Sequence, residues 1–267
     1  MQASLRLALG MTTRIPAGDV SAIAARPQSV GWAVLLTPLI WAVAGIAAVA
    51  ILLLIRLLID WPGGPAGHLG PILGAIGAIG FVQWLARGLH ADGLADTADA
   101  LAAPGDRDQK LTVMRASDIG PTGVLVLGFV LSAQVVCLAI SVTLGHGSLA
   151  LITALIAGRL CLAWACLGSA ARDSGLGSWV SQTVRWPAVV LVSAAYFGLA
   201  GLGLWLDDEP VRTGSLIALL AIPVAIAITQ LFYRTWRRSL GGITGDTLGA
   251  GVEAGTLCAL FIFAISG

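Results

Sequence analysis

Charge is what this chain has least of. Only 11% of its 267 residues are Asp, Glu, Lys or Arg, against 57% apolar residues and a mean hydropathy of +0.91. That balance excludes an ordinary soluble domain and describes a chain whose solvent is largely lipid. The formal net charge is +1, so the basic excess of a nucleic-acid binder is missing and no nucleic-acid partner is expected. The four cysteines, Cys137, Cys161, Cys166 and Cys258, sit singly in apolar runs with no C-x-x-C pair. This argues against a zinc site or disulfide framework and makes them core or lipid-facing residues. The opening "MQASLRLALGMTTRIPAGDV" has no A-x-A-like cleavage site and is not read as a removed signal peptide.

Small residues and helix breakers, by contrast, are plentiful: 34 glycines and 11 prolines. Both fit membrane helices, which approach closely through small residues and tolerate breakers when neighbours satisfy the freed backbone. A span needs about 20 apolar residues to cross about 30 Å of hydrocarbon. Runs of roughly that length occupy 30–58, 70–86, 120–144, 148–169, 186–206, 214–233 and 249–266. The chain therefore reads as one integral membrane domain over 1–267, an all-α polytopic bundle of about seven transmembrane helices. The second and the last runs are short enough to be partial or tilted crossings. The spacings of Gly70 with Gly74 and of Gly251 with Gly255 suit packing within a chain or between copies, which leaves a homo-oligomer open.

Basic residues stay on the cytoplasmic side during insertion. Arg6, Arg14 and Arg26 precede the first span; Arg87, Arg107, Lys110 and Arg115 follow the second. Arg172 and Arg185 follow the fourth, and Arg234, Arg237 and Arg238 the sixth. All fall on one side, whereas Arg212 stands across from them beside Asp207, Asp208 and Glu209. The N-terminus is thus expected inside, in a multi-pass protein of the cytoplasmic (inner) membrane. The unusual polar stretches, 88–104, 170–180 and 241–253, then meet at the cytoplasmic face.

The first of these, "GLHADGLADTADALAAP", carries Asp92, Asp96 and Asp99. On a helix the spacing i, i+4, i+7 puts all three carboxylates on one face within two turns. Like charges so placed repel, more strongly near a bilayer, and call for a cation or a proton. Hard oxygen ligands suit Mg²⁺, which is commonly shared between one or two carboxylates and a substrate's phosphates. A metal-dependent phosphate site follows; a solvated acidic loop or a proton or cation relay are the competing readings. His90, two residues before the cluster, is either structural or a substrate contact.

Candidate phosphate clamps are Arg14, Arg115 and Arg172, since a guanidinium offers a planar fork matched to phosphate oxygens. Arg159, inside the fourth span, is costly there unless it pairs with an acid or faces a polar cavity. Asp246 and Glu253, seven residues apart on the last helix, supply such acids, so Arg159 is either an ion-pair partner of Glu253 or a ligand contact. The "GGITGD" glycines permit close backbone approach to a ligand.

Taken in order, "TTRIP", "RGLHADGLADTADAL", "DRDQKLTVMRASDIGPTGVL", "AGR" with "ARDSGLGS", and "GGITGDTLGAGVE" resemble the cobalamin-5′-phosphate synthase family, the adenosylcobinamide-GDP ribazoletransferases. The resemblance implies a Mg²⁺-dependent membrane enzyme that joins adenosylcobinamide-GDP to α-ribazole or its 5′-phosphate and releases GMP. It implies that Asp92 and Asp96 hold Mg²⁺ and that Asp99 completes the metal site or takes the proton of the attacking hydroxyl. It also makes Arg14, His90, Arg115, Ser117, Asp118, Arg159, Arg172, Asp246 and Glu253 substrate-binding candidates. Two positions depart from the family pattern. Its M-[KR]-D-S-x-x-G element reads Met114-Arg115-Ala116-Ser117-Asp118-Ile119-Gly120, so the acid has moved by two positions. Asp118 is then expected to act from another direction on the helix, or that role is absent. Thr256 stands where the family tends to have a second glutamate.

Other membrane enzymes also place spaced aspartates at a membrane edge. A CDP-alcohol phosphotransferase would carry an arginine that "DGLADTAD" lacks, and an aromatic prenyltransferase a second N-D-x-x-D motif that the second half lacks. A transporter would place its polar residues at mid-membrane and repeat its first half. Neither feature is present in the sequence.

Overall fold

The computed structural model describes residues 2–60, 69–116, 118–205 and 209–266; among them the regular structure is helical, with one isolated bridge between Ala170 and Ile243. The helices are α1 (Gln2–Thr12), α2 (Ser21–Ala24), α3 (Pro27–Ile59), α4 (Gly70–Leu85), α5 (Leu89–Ala102) and α6 (Arg107–Val113). They continue with α7 (Pro121–Thr143), α8 (Gly147–Ala165), α9 (Leu176–Val180), α10 (Trp186–Leu202), α11 (Glu209–Leu240) and α12 (Gly245–Ile265). Proline opens α3, α4, α7 and α10 in the first turn, where its missing N–H costs nothing. Capping boxes open α6, through Asp106 and Gln109, and α12, through Thr244 and Thr247.

Six helices, α3, α7, α8, α10 with its short 3₁₀ extension, α11 and α12, are long and apolar enough to cross a membrane. The seventh expected span is a broken one. α4 has 16 residues and meets α5 at 87°. The break is a Schellman motif: Gly88 N–H donates to Gln83 C=O at 2.9 Å and Arg87 N–H to Trp84 C=O at 3.2 Å, with Arg87 at φ 59° and Gly88 at φ 69°. Glycine adopts that left-handed conformation freely, whereas Arg87 does so at some cost. The last span is complete, its 21 residues starting at Gly245 and not at 249, because the Thr244 cap adds a turn.

α8 is the centre of the bundle, buried along most of its length, with α3, α11, α12 and α7 around it. Glycines let these helices touch. A Cβ on Gly158 would lie 2.6 Å from Thr256 Oγ1, and one on Gly255 would lie 2.7 Å from Cys161 Sγ. Gly74 meets the Leu52 carbonyl and Gly251 the Tyr233 hydroxyl, so the glycine spacings read from the sequence pack within the chain. Large apolar side chains such as Leu57, Leu125, Phe129, Leu191 and Leu199 point outward, a surface that only lipid makes comfortable. α10 is the most peripheral of the spans, with Val189 its one buried residue.

Alternation of the spans puts the ends of α4, α8 and α11 beside the beginnings of α3, α7, α10 and α12. At that end Ala171 N–H donates to Ile243 C=O at 2.8 Å and Ile243 N–H to Ser169 C=O at 2.9 Å. These bonds tie the segment after α8 to the one before α12.

Candidate functional site

α5 lies across this end of the bundle, against α12 and α7. Two glycines set its distance from α12. A Cβ on Gly93 would stand 2.6 Å from the Asp246 carbonyl oxygen, and one on Gly249 would stand 3.1 Å from His90 Cα. Backbone therefore meets backbone at both points, and the carboxylates of α5 come beside Asp246 at the first turn of α12.

The expected acidic face forms, with a different third member. Asp92, Asp246 and Asp99 all add negative charge at Asp96, which together with burial, the larger cause, pushes its carboxyl up to about 6. None of Asp92, Asp96 and Asp246 has an ion-pair partner among the described residues. Asp99 instead turns to α7: its Oδ2 accepts Gly120 N–H at 2.7 Å and its Oδ1 accepts Gly123 N–H at 2.8 Å. Both oxygens thus stabilise a helix start, where a negative charge is favoured by the dipole. No three acidic, histidine or cysteine side chains among the described residues are already drawn into a metal-holding group. Two carboxylates that share a cation with incoming phosphates fit this arrangement, and that is the habit of Mg²⁺.

The basic side faces them. Arg172 Nη2 donates to the Leu111 carbonyl at 2.8 Å, while its buried Nε has no partner. Burial, and then the Arg115 and Arg107 guanidiniums, lower the pKa of Arg172; Asp246 acts in the opposite direction. Arg115 is exposed in the turn after α6. Arg107 fastens α6 down, Nε to the Leu240 carbonyl at 3.0 Å and Nη2 to the Ala171 carbonyl. Arg14 is fastened to the end of α4, Nε to the Trp84 carbonyl at 2.6 Å and its guanidinium 4.4 Å from the Trp84 ring centroid. Asp118 is exposed in the connection between α6 and α7, so of the two expectations for it, action from a helix or absence of the role, the first is corrected: α6 ends at Val113 and α7 starts at Pro121. Ser117 lies outside the described residues.

Behind the acidic face, His90, Arg159 and Glu253 are gathered in a buried polar cluster, each at most 3% exposed. Arg159 stacks on Trp41 with its guanidinium carbon 3.7 Å from the ring centroid, and the His90 ring is 6.3 Å from the same indole. Of the two readings of Arg159, an ion pair with Glu253 or a ligand contact, the ion pair does not form. Glu253 Oε1 accepts from Gln83 Nε2 at 3.0 Å and its Oε2 from Gln134 Nε2 at 2.7 Å, so both lone-pair regions are taken by amides of α4 and α7. Arg159 finds its compensation in the indole face and in the long-range field of Glu253.

Sequence reasoning passed over Gln83, Gln134, Trp41 and Arg107. The two glutamines carried a readable signal: each interrupts an apolar run ("GFVQWLA", "LSAQVVC"), where a polar side chain needs a partner. Arg107 carried none, since one more arginine in a hydrophilic connection has no distinguishing neighbour.

A polytopic helical membrane protein with carboxylates facing guanidiniums at one end of its bundle is the class that this fold and site define. Residues 4–264 match the cobalamin-5-phosphate synthase family, and the chain belongs to it. It is 36% identical over 187 residues to the adenosylcobinamide-GDP ribazoletransferase of Frankia casuarinae, covering 68% of this chain and 67% of that protein. The protein of the same name from Roseiflexus sp. is 33% identical over 192 residues, 69% of this chain and 66% of its own. That from Nocardioides sp. is 35% identical over 182 residues, 67% of each. No solved structure matches the chain.

Proposed function

We propose that this chain joins adenosylcobinamide-GDP to α-ribazole or its 5′-phosphate and releases GMP, the step that completes the nucleotide loop of coenzyme B12. Family membership supports the activity. The observation that carries the mechanism is Asp246, which adds negative charge at Asp96 beside Asp92 and also acts on Arg172, with which it lines one cavity.

Asp92 and Asp96 would hold Mg²⁺, with Asp246 beside them; when bound there, the ion neutralises diphosphate oxygens and favours departure of the nucleotide. The donor set fits: hard oxygens, no basic partner within ion-pair distance among the described residues, and mutual repulsion that a cation relieves. A ribose hydroxyl attacks the phosphorus on the corrinoid side, the bridging P–O bond breaks, and GMP leaves with that bond's electron pair. The hydroxyl proton passes to a carboxylate of the same cluster. Arg172 and Arg115 orient the diphosphate through charge-assisted hydrogen bonds. Asp99 acts by fixing α5 against α7, and the Glu253, Gln83 and Gln134 set by bracing α12 from below.

The mouth faces the cytoplasm in this proposal, in the inner membrane. Support comes from the concentration of arginines at that end and their scarcity at the other.

The experiment is direct. Detergent-purified protein should release GMP only when corrinoid substrate, ribazole substrate and Mg²⁺ are all present, and Asp92→Asn or Asp96→Asn should abolish release without loss of folded protein. Near-normal GMP release from both variants would remove the metal assignment.

A further inference from the structure

Beyond the acidic face, α6 and the segment after α8 enclose a groove of about 430 Å³ lined by Arg107, Leu111, Thr112, Arg115, Arg172 and Ser174 among others. Its size falls in the range of about 300–1,000 Å³ common for small-molecule sites. Arg172 and Ser174 also wall a second cavity of about 140 Å³, lined on its other side by Ile243, Thr244, Gly245 and Asp246. Arg172 thus stands between a cavity that Asp246 lines and the groove of the three guanidiniums.

The guanidiniums are not spent equally on the fold. Arg107 is fixed by two backbone carbonyls and by a 3.6 Å contact with Asp108, and serves to keep α6 against the Leu240 and Ala171 segments. Arg172 gives one bond to the Leu111 carbonyl and leaves its buried Nε unpartnered. The Arg115 side chain makes no hydrogen bond or ion pair among the described residues and stands exposed at the rim; only its backbone N–H is engaged, with the Thr112 carbonyl. Asp108 and Asp173 also line the groove, but the Asp108 side chain is 85% exposed and well solvated. Like charges gathered by the fold with donors to spare form a receptor for an anion with several oxygens.

We infer that this groove holds the nucleoside monophosphate half of the substrate, with Arg172 on the phosphate that leaves and Arg115 at its rim, and that it binds a nucleoside 5′-monophosphate without metal. The inference rests on the functional reading above and gives the substrate a direction. The nucleotide lies in the polar groove under α6, and the corrinoid phosphate remains at the Asp92 and Asp96 side. As the bridging bond breaks, negative charge grows on the departing phosphate oxygen, where Arg172 stands. Released GMP then occupies the same groove and competes with the next corrinoid substrate.

Binding of GMP to the detergent-solubilised full chain, measured by equilibrium dialysis in EDTA, tests this. GMP should bind, inorganic phosphate should compete weakly, and α-ribazole should not compete. Arg115→Gln and Arg172→Gln should each weaken binding by about tenfold or more, the worth of a lost charged hydrogen bond. Asp92→Asn should bind GMP as the parent does. Arg172→Gln removes a bond to the Leu111 carbonyl and risks the fold; Arg115→Gln removes no internal bond, so the pair keeps the test decisive. GMP binding indifferent to both arginines, or lost with Asp92→Asn, overturns the inference. So does displacement of GMP by phosphatidylglycerol vesicles, which would make the groove a lipid headgroup site. A chain that binds GMP in this way but never releases it from corrinoid substrate would refute the activity and leave the nucleotide groove standing.

Discussion

Asp99 Oδ2 accepts the backbone N–H of Gly120 at 2.7 Å, so the end of the acidic helix holds the start of α7. That bond separates Asp99 from the two aspartates upstream of it, although the sequence puts all three on one helical face. Asp99→Ala should lower stability by about 1 kcal/mol, the usual worth of a helix cap, and leave a reduced but measurable GMP release. Asp92→Asn and Asp96→Asn should do the reverse, with melting retained and turnover gone. Melting curves beside GMP assays on the three variants check it; an inert but fully stable Asp99→Ala would place Asp99 in the chemistry.

Gly93 is the contact through which α5 reaches α12. A methyl group there would meet the Asp246 carbonyl oxygen at 2.6 Å and Asp246 Cα at 2.9 Å, both backbone atoms that cannot swing aside. Gly93→Ala is expected to cost about 1–3 kcal/mol, as overpacking does, and to cut turnover by parting Asp96 from Asp246. Gly249→Ala meets His90 at 3.1 Å and should be milder. Thermal melts and initial rates of the two variants give the ranking.

Glu253 is buried with Arg159 nearby and two glutamine amides on its carboxylate. Glu253→Leu strips both amides of their acceptor and removes the nearest compensating negative charge. A loss of about 3–5 kcal/mol is expected, as for removing one partner of a buried charged set. Glu253→Gln, which keeps the shape, should lose less. A Glu253→Leu protein that melts with the parent would show the cluster to be dispensable.

A pH dependence follows from Asp96. Its carboxyl is raised from 3.8 to about 6 in the folded, metal-free chain. Between those values the folded chain keeps a proton that the unfolded chain has released, so this contribution to stability is full below 3.8 and is lost as pH rises through about 6. Metal-free protein should therefore melt lower as pH climbs through that window, and Mg²⁺ should raise the melting temperature more above it than below. Asp96→Asn should flatten both trends. A slope unchanged in Asp96→Asn would assign the titration to another group.

The spans, and the grouping of polar residues at one end, were legible because lipid imposes length and composition on a helix. The carboxylates of α5 were legible for the same reason: three aspartates at helical spacing stand out where charge is rare. The role of Asp99 was hidden, since its partners are backbone N–H groups 21 and 24 residues away that any sequence would supply. Arg159 was singled out as needing compensation, with an ion pair to Glu253 or a ligand contact as the two remedies the sequence offered. The fold used an indole face and two amides, which are chosen by packing and not by sign. The break after Leu85 was equally quiet, because only Gly88 of the two left-handed residues announces itself.

That break sets more than a direction. A bilayer of different thickness can tilt or stretch α4, but the heading of α5 depends on two hydrogen bonds between Gln83 and Gly88 and between Trp84 and Arg87. A joint fixed in this way carries any tilt of α4 into α5, where the packing of α5 against α12 and α7 resists it.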